Sequence, residues 1–135
     1  MIGIFDNDTA AEEALSQLEY IPLPDNFKIL RYPLLKFAEK YPTYGPTGLT
    51  YLDINGSACS IELYLGKDII RDKKMYPVQW KGYSVKAKKY QGEISKKEEL
   101  HTLFNKKLNL FDKGSKSADW SGIDLILQEL FFAFQ

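Results

Sequence analysis

The chain has 135 residues, enough for one domain with a buried core and too few for two; with 44% hydrophobic and 27% charged residues it is globular in composition, not disordered or fibrous. No apolar run approaches the roughly 18 residues of a membrane span, the start Met1-Ile2-Gly3-Ile4-Phe5-Asp6 has no basic leader, and Cys59 and His101 are the only residues of their kinds. Disulfide frameworks, cysteine zinc sites and most histidine metal chemistry are thereby excluded, and a cytoplasmic location without membrane association is expected.

Ile2 to Phe5 reads as a short strand, Asp6-Asn7-Asp8-Thr9 as an acidic turn, and Thr9 to Leu18, rich in Ala, Glu and Leu, as a helix capped by Asp8 or Thr9. Pro22 and Pro24 end the helix, and Phe27 to Tyr32 has strand composition. The segment is a β-α-β unit with parallel strands, in which ligands bind beyond the carboxyl ends of the strands, where Asp6 and Asp8 fall. Tyr41 to Gly48 is dense in turn formers and reads as a loop, Leu49 to Ile54 as a strand, Asn55-Gly56-Ser57 as a turn and Ala58 to Leu65 as a short helix. Tyr76 to Glu93 reads as a hairpin or an irregular basic loop. Two helices follow, Ser95 to about Leu108 and about Asp119 to Phe134.

The zero formal net charge conceals segregation. Residues 1–65 hold four Lys/Arg against nine Asp/Glu, residues 66–116 hold fourteen against six, and residues 117–135 hold three acids and no base. This suits an anionic partner for the middle of the chain, or a solvated surface of mixed charge. Within it, Arg71 to Lys97 carries nine bases against two acids, interleaved with Tyr76, Trp80, Tyr83 and Tyr90. Cations contact phosphates and aromatics stack on bases, so Lys81, Lys86, Lys88 and Lys89 are candidate nucleic-acid contacts; a solvated hairpin with core aromatics has the same composition.

Two carboxylates at i and i+2 past an apolar strand can face one divalent cation, and Mg²⁺ favours such hard oxygen donors, so Asp6 and Asp8 are candidate ligands of Mg²⁺ or Mn²⁺. A plain Asx turn and helix cap would use the same aspartates. Ile2 to Leu15 resembles the D-x-D region of Toprim domains, the metal-binding fold of topoisomerases, primases and overcoming-lysogenisation-defect nucleases. It looks most like the C-terminal Toprim half of bacterial HEPN/Toprim-associated proteins. The similarity extends through Arg31-Tyr32-Pro33, Tyr41 to Pro46, Asp53 to Gly56, Ser60 to Gly66, Pro77 to Tyr83, Tyr90 to Ile94 and Asp119 to Gly122.

The resemblance implies a small Rossmann-like, mostly parallel α/β sheet flanked by helices, with residues 1–135 forming one domain. It implies Glu62, in Ile61-Glu62-Leu63-Tyr64-Leu65, as a further metal ligand, and Lys97 as a catalytic cation that offsets charge on a phosphoryl group. Toprim domains carry an earlier strand with a catalytic glutamate, and here the D-x-D strand begins at the chain start. The expectation is therefore the C-terminal part of a longer protein lacking its first βα unit, with an incomplete catalytic set. Ala11 also stands where Toprim motifs commonly have glycine. Haloacid-dehalogenase phosphatases share strand-D-x-D but need Thr where this chain has Ala10.

The function so implied is metal-dependent cleavage of nucleic-acid phosphodiesters; the alternative is a non-catalytic module binding nucleic acid or protein. Ile123, Ile126, Leu127, Leu130, Phe131 and Phe134 form one apolar side of the last helix, suited either to core packing or to a protein partner such as an upstream HEPN-like region or a second copy.

Overall fold

The computed structural model describes residues 1–115 and 118–135. Strand β1 (Ile2–Phe5) is followed by the two-residue β2 (Asn7–Asp8), helix α1 (Thr9–Leu18) and strand β3 (Lys28–Arg31). β1 and β3 pair in parallel, Ile2 opposite Lys28 and Phe5 opposite Arg31, so the expected β-α-β unit forms. Its helix starts where the sequence places a cap: Asp8 is extended (φ −142°, ψ 176°) and its carboxylate accepts from the Ala11 N–H at 2.8 Å. Such a cap stabilises a helix by about 1 kcal/mol.

Strands β4 (Tyr41–Gly45) and β5 (Gly48–Leu52) form a hairpin, so most of the expected loop at Tyr41 to Gly48 is strand and the turn is confined to its last four residues. Burial overrides composition here. Tyr41, Pro42 and Thr43 are buried, and the Tyr41 hydroxyl donates to the Tyr76 carbonyl at 2.9 Å. Pro42 is tolerated because the ladder on its other side begins only at Thr43.

β6 (Ala58–Cys59) pairs antiparallel with β2, and a 3₁₀ turn spans Ile61–Tyr64. The expected helix over Ala58 to Leu65 is thus replaced by two extended residues and one tight turn. Ala58, Cys59, Glu62, Leu63, Tyr64 and Leu65 are all buried, leaving no solvent face of the kind an amphipathic helix needs. β7 (Val78–Ser84) and β8 (Lys89–Ile94) form an antiparallel hairpin with an irregularity between Trp80 and Tyr83, which settles the hairpin-or-loop alternative. The four-stranded sheet has the order β5-β4-β7-β8, with β4 and β7 parallel.

The protein is therefore mixed α/β, but not built on one mostly parallel sheet. Among the described residues parallel pairing is limited to β1·β3 and β4·β7, and the strands divide into three sheets. Helix α2 (Lys97–Asp112) starts two residues later and ends four later than expected, and α3 covers Ser121–Phe131. The core gathers Tyr41, Ile54, Tyr64, Ile70, Val78, Ile94, Leu100 and Ile126.

Gly122 lets α3 dock: a Cβ there would lie 2.5 Å from the Tyr64 carbonyl oxygen. The apolar side expected on this helix divides, with Ile123, Ile126 and Leu130 turned to the core while Leu127, Phe131 and Phe134 stay exposed. No helix of the described residues is long and apolar enough to cross a membrane.

Candidate functional site

Asp6, Asn7 and Asp8 run as extended backbone from the carboxyl end of β1 into the cap of α1, so alternate side chains face opposite ways. Asn7 turns inward and is 3% exposed. Its amide donates to Asn55 Oδ1 at 3.0 Å, and its oxygen accepts from the Gly56 N–H at 2.8 Å. Asn55 in turn clasps the Leu35 backbone through both N–H and carbonyl, at 2.8 and 2.9 Å. The middle residue of D-N-D is thus the structural one. It pins the acidic turn to the Asn55-Gly56 turn, a role sequence reading missed although the Asn-Gly pair marked a turn there.

The aspartates differ from each other. Asp8 is buried, with Oδ1 taken by the helix cap and Oδ2 accepting from Gln91 Nε2 at 3.2 Å. Asp6 is half-buried, and among the described residues its carboxylate has no hydrogen-bond partner. Its carboxyl is pushed above its ordinary value, first by burial, then by the negative charges of Asp8 and Glu62; Lys97 acts in the opposite sense.

Glu62 joins this cluster from the 3₁₀ turn and is not the exposed glutamate an amphipathic helix would carry: it is 4% exposed. Ser60 Oγ donates to its Oε2 at 2.5 Å, and His101 Nε2 lies 3.0 Å from its Oε1. Burial alone would raise its carboxyl, but the Ser60 hydroxyl, a backbone N–H, Lys97 and His101 together hold it below the ordinary carboxylate range. The charges of Asp6 and Glu62 also add to burial in raising the Tyr32 phenol, so Tyr32 borders the site.

Lys97 opens α2, pairs with Glu93 at 3.3 Å and acts on both Asp6 and Glu62. His101 is one helical turn further on, so both project from one face. Sequence reading gave His101 no role; the i, i+4 spacing from Lys97 was the signal for one.

The donors expected for a divalent cation are oxygens, and of these the Asp6 carboxylate has no hydrogen-bond partner among the described residues. Among the described residues no three His, Cys, Asp or Glu side chains converge closely enough to form a closed metal cage. Mg²⁺ is commonly held by one or two carboxylates with water and phosphate oxygens; Asp6 offers an open carboxylate, whereas each Asp8 oxygen already accepts one hydrogen bond.

The lysines of the basic hairpin separate. Lys81, Lys88 and Lys89 line a cleft of about 610 Å³ with Trp80, Tyr83 and Tyr90. Lys89 is also ion-paired with Glu12. Lys86 instead lies with Arg31 among Glu12, Glu13 and Glu19, so it does not belong to the same surface.

The other unusual groups are structural. Lys107 is 7% exposed and donates to the Leu65 carbonyl at 2.7 Å, to Asp68 at 2.9 Å and to the Asp119 carbonyl. Cys59 is buried, with its thiol pushed far up by desolvation, which makes it unreactive. Comparison of the chain with protein-family models, with curated proteins and with solved structures found no match.

Proposed function

We propose that this chain provides a divalent-cation-dependent site for nucleic-acid phosphodiesters on a Toprim-type mixed α/β scaffold. The observation that carries the reading is the Asp6 carboxylate: half-buried, without a hydrogen-bond partner among the described residues, and placed at the carboxyl end of a parallel strand pair. Asp6 and Asp8 would hold Mg²⁺ or Mn²⁺, which when bound stabilises charge on phosphoryl oxygens. Lys97 offsets further negative charge on the same group. Glu62 keeps His101 turned toward the cluster.

The non-catalytic reading has its own support. Both oxygens of Glu62 and of Asp8 are engaged, Glu12 is ion-paired with Lys89, and Glu13 accepts from Ser84 at 2.9 Å. Hydrolysis needs a group to activate water as well as one to stabilise the leaving oxygen, and Asp6 cannot be both ligand and base.

Residues 1–135 are therefore expected to bind Mg²⁺ weakly without cleaving nucleic acid. Calorimetric titration with MgCl₂ should show binding that is lost in Asp6→Ala, and labelled oligonucleotide should persist under the same conditions. Undiminished binding in the Asp6→Ala/Asp8→Ala variant would remove the cation site. Robust Mg²⁺-dependent cleavage abolished by Asp6→Ala would decide for a self-sufficient nuclease.

A further inference from the structure

We infer that the cleft of the β7–β8 hairpin is a stacking site for unpaired nucleobases, so that the nucleic acid taken by this protein is single-stranded. The inference rests on the function proposed above only for the class of polymer; its own support is the make-up of the cleft.

Trp80 forms the floor. It stands opposite Gly92 across the β7–β8 ladder, where a Cβ would come within 2.9 Å of its ring, and it lies against Gly45 on the other side, 3.5 Å from where a Cβ would sit. Glycine on both neighbouring strands leaves room for the half-buried indole beside the sheet. Tyr83 and Tyr90 form the wall. They are cross-strand partners with ring centroids 4.9 Å apart, yet 52% and 55% exposed, a poor use of two aromatic rings if packing were their only role.

Cations edge this aromatic surface. Lys81 and Lys88 are exposed and have no ion-pair partner among the described residues, and no carboxylate lines the cleft. Lys88 adopts a left-handed conformation, φ 57°, at the tip of the hairpin. Aromatic faces accept any base, and lysines beside them meet the phosphates that follow, which is how single strands are bound without sequence readout. A duplex hides its base faces and would meet only the lysines.

The cleft also adjoins the acidic turn. Thr9 Oγ1 donates to the Tyr90 carbonyl at 2.6 Å, and Gln91 bonds both Asp8 and the Ala10 N–H. The hairpin that carries the cleft is thereby tied to the acidic turn through the Tyr90 backbone and the Gln91 side chain.

The test is fluorescence anisotropy of the full chain with a fluorescein-labelled 15-nucleotide oligothymidylate, the corresponding duplex, and free thymidine monophosphate as competitor. Working in EDTA keeps the result independent of the cation site, so failure of either reading is seen separately. The single strand should bind at least tenfold more tightly than the duplex. Tyr83→Ser/Tyr90→Ser should weaken it about tenfold or more, while Lys36→Gln/Lys40→Gln, elsewhere on the surface, should not. Circular-dichroism melting verifies that the exposed tyrosines can be replaced without unfolding. Equal affinity for duplex, indifference to the tyrosine substitutions, or displacement by the mononucleotide at the oligonucleotide's own affinity would each overturn the inference.

Discussion

Replacing Asn7 with alanine should destabilise the protein more than replacing either neighbouring aspartate. Asn7 makes two well-formed hydrogen bonds, to Asn55 Oδ1 and from the Gly56 N–H, at 3.0 and 2.8 Å. Truncation leaves the Gly56 donor without its partner, which costs about 1–3 kcal/mol, and removes a second bond whose net contribution is about 0.5–1.5 kcal/mol. The sum, about 2–4 kcal/mol, is a large share of the roughly 5–15 kcal/mol that holds a domain folded. For a chain of this size it corresponds to a fall in Tm of about 6–16 °C. Urea denaturation followed by circular dichroism measures it directly. Asn7→Ala and Asn55→Ala should be non-additive in a double-mutant cycle, because each removes a partner of the other. A loss below about 1 kcal/mol, or strict additivity, would refute the account of Asn7 as the pin of the acidic turn.

Asp6→Asn should be neutral or stabilising at pH 7, because the Asp6 carboxyl is raised above its ordinary 3.8, chiefly by burial and then by Asp8 and Glu62. The stability that the protonated form contributes is complete below that ordinary value and is lost as pH rises through the folded value, so the variant's advantage should vanish on acidification; Tm measured against pH tests this, and a lower Tm at pH 7 would contradict it. Gly122→Ala should destabilise by about 1–3 kcal/mol despite alanine's better helix propensity, since its Cβ would press on the Tyr64 backbone; an unchanged urea midpoint would show that α3 can shift at no cost. Lys107→Met should cost about 3 kcal/mol or more, because it strands the Leu65 and Asp119 carbonyls and the Asp68 carboxylate. Chemical denaturation measures that loss, and a stable variant would mean that water replaces the ammonium.

The first thirty residues were legible because their structure is decided locally. An apolar run, an acidic cap and a stretch of helix formers specify β1, α1 and β3 with little help from elsewhere, and the i, i+2 aspartates are placed by the same backbone. Tyr41 to Gly45 was not legible: its proline and glycine signal a loop, and only the pairing of Thr43 with Thr50 and Val78, with burial of Tyr41, makes it a strand.

The same division holds at the site. Asp6 and Asp8 are neighbours in the chain, so their pairing could be read from spacing, whereas Glu62 and Lys97 came from a resemblance and His101 was passed over. His101 reaches Glu62 across 39 positions of sequence, through the packing of α2 on the 3₁₀ turn. Lys86 and Lys88 show the reverse: two residues apart in one basic run, they belong to different surfaces because the chain turns over between β7 and β8. Local sequence determines which residues can cap, turn or alternate, since those preferences act within a few bonds. Which charges share one carboxyl, and which lysines share one cleft, depends on contacts between distant segments, and only the tertiary structure decides those.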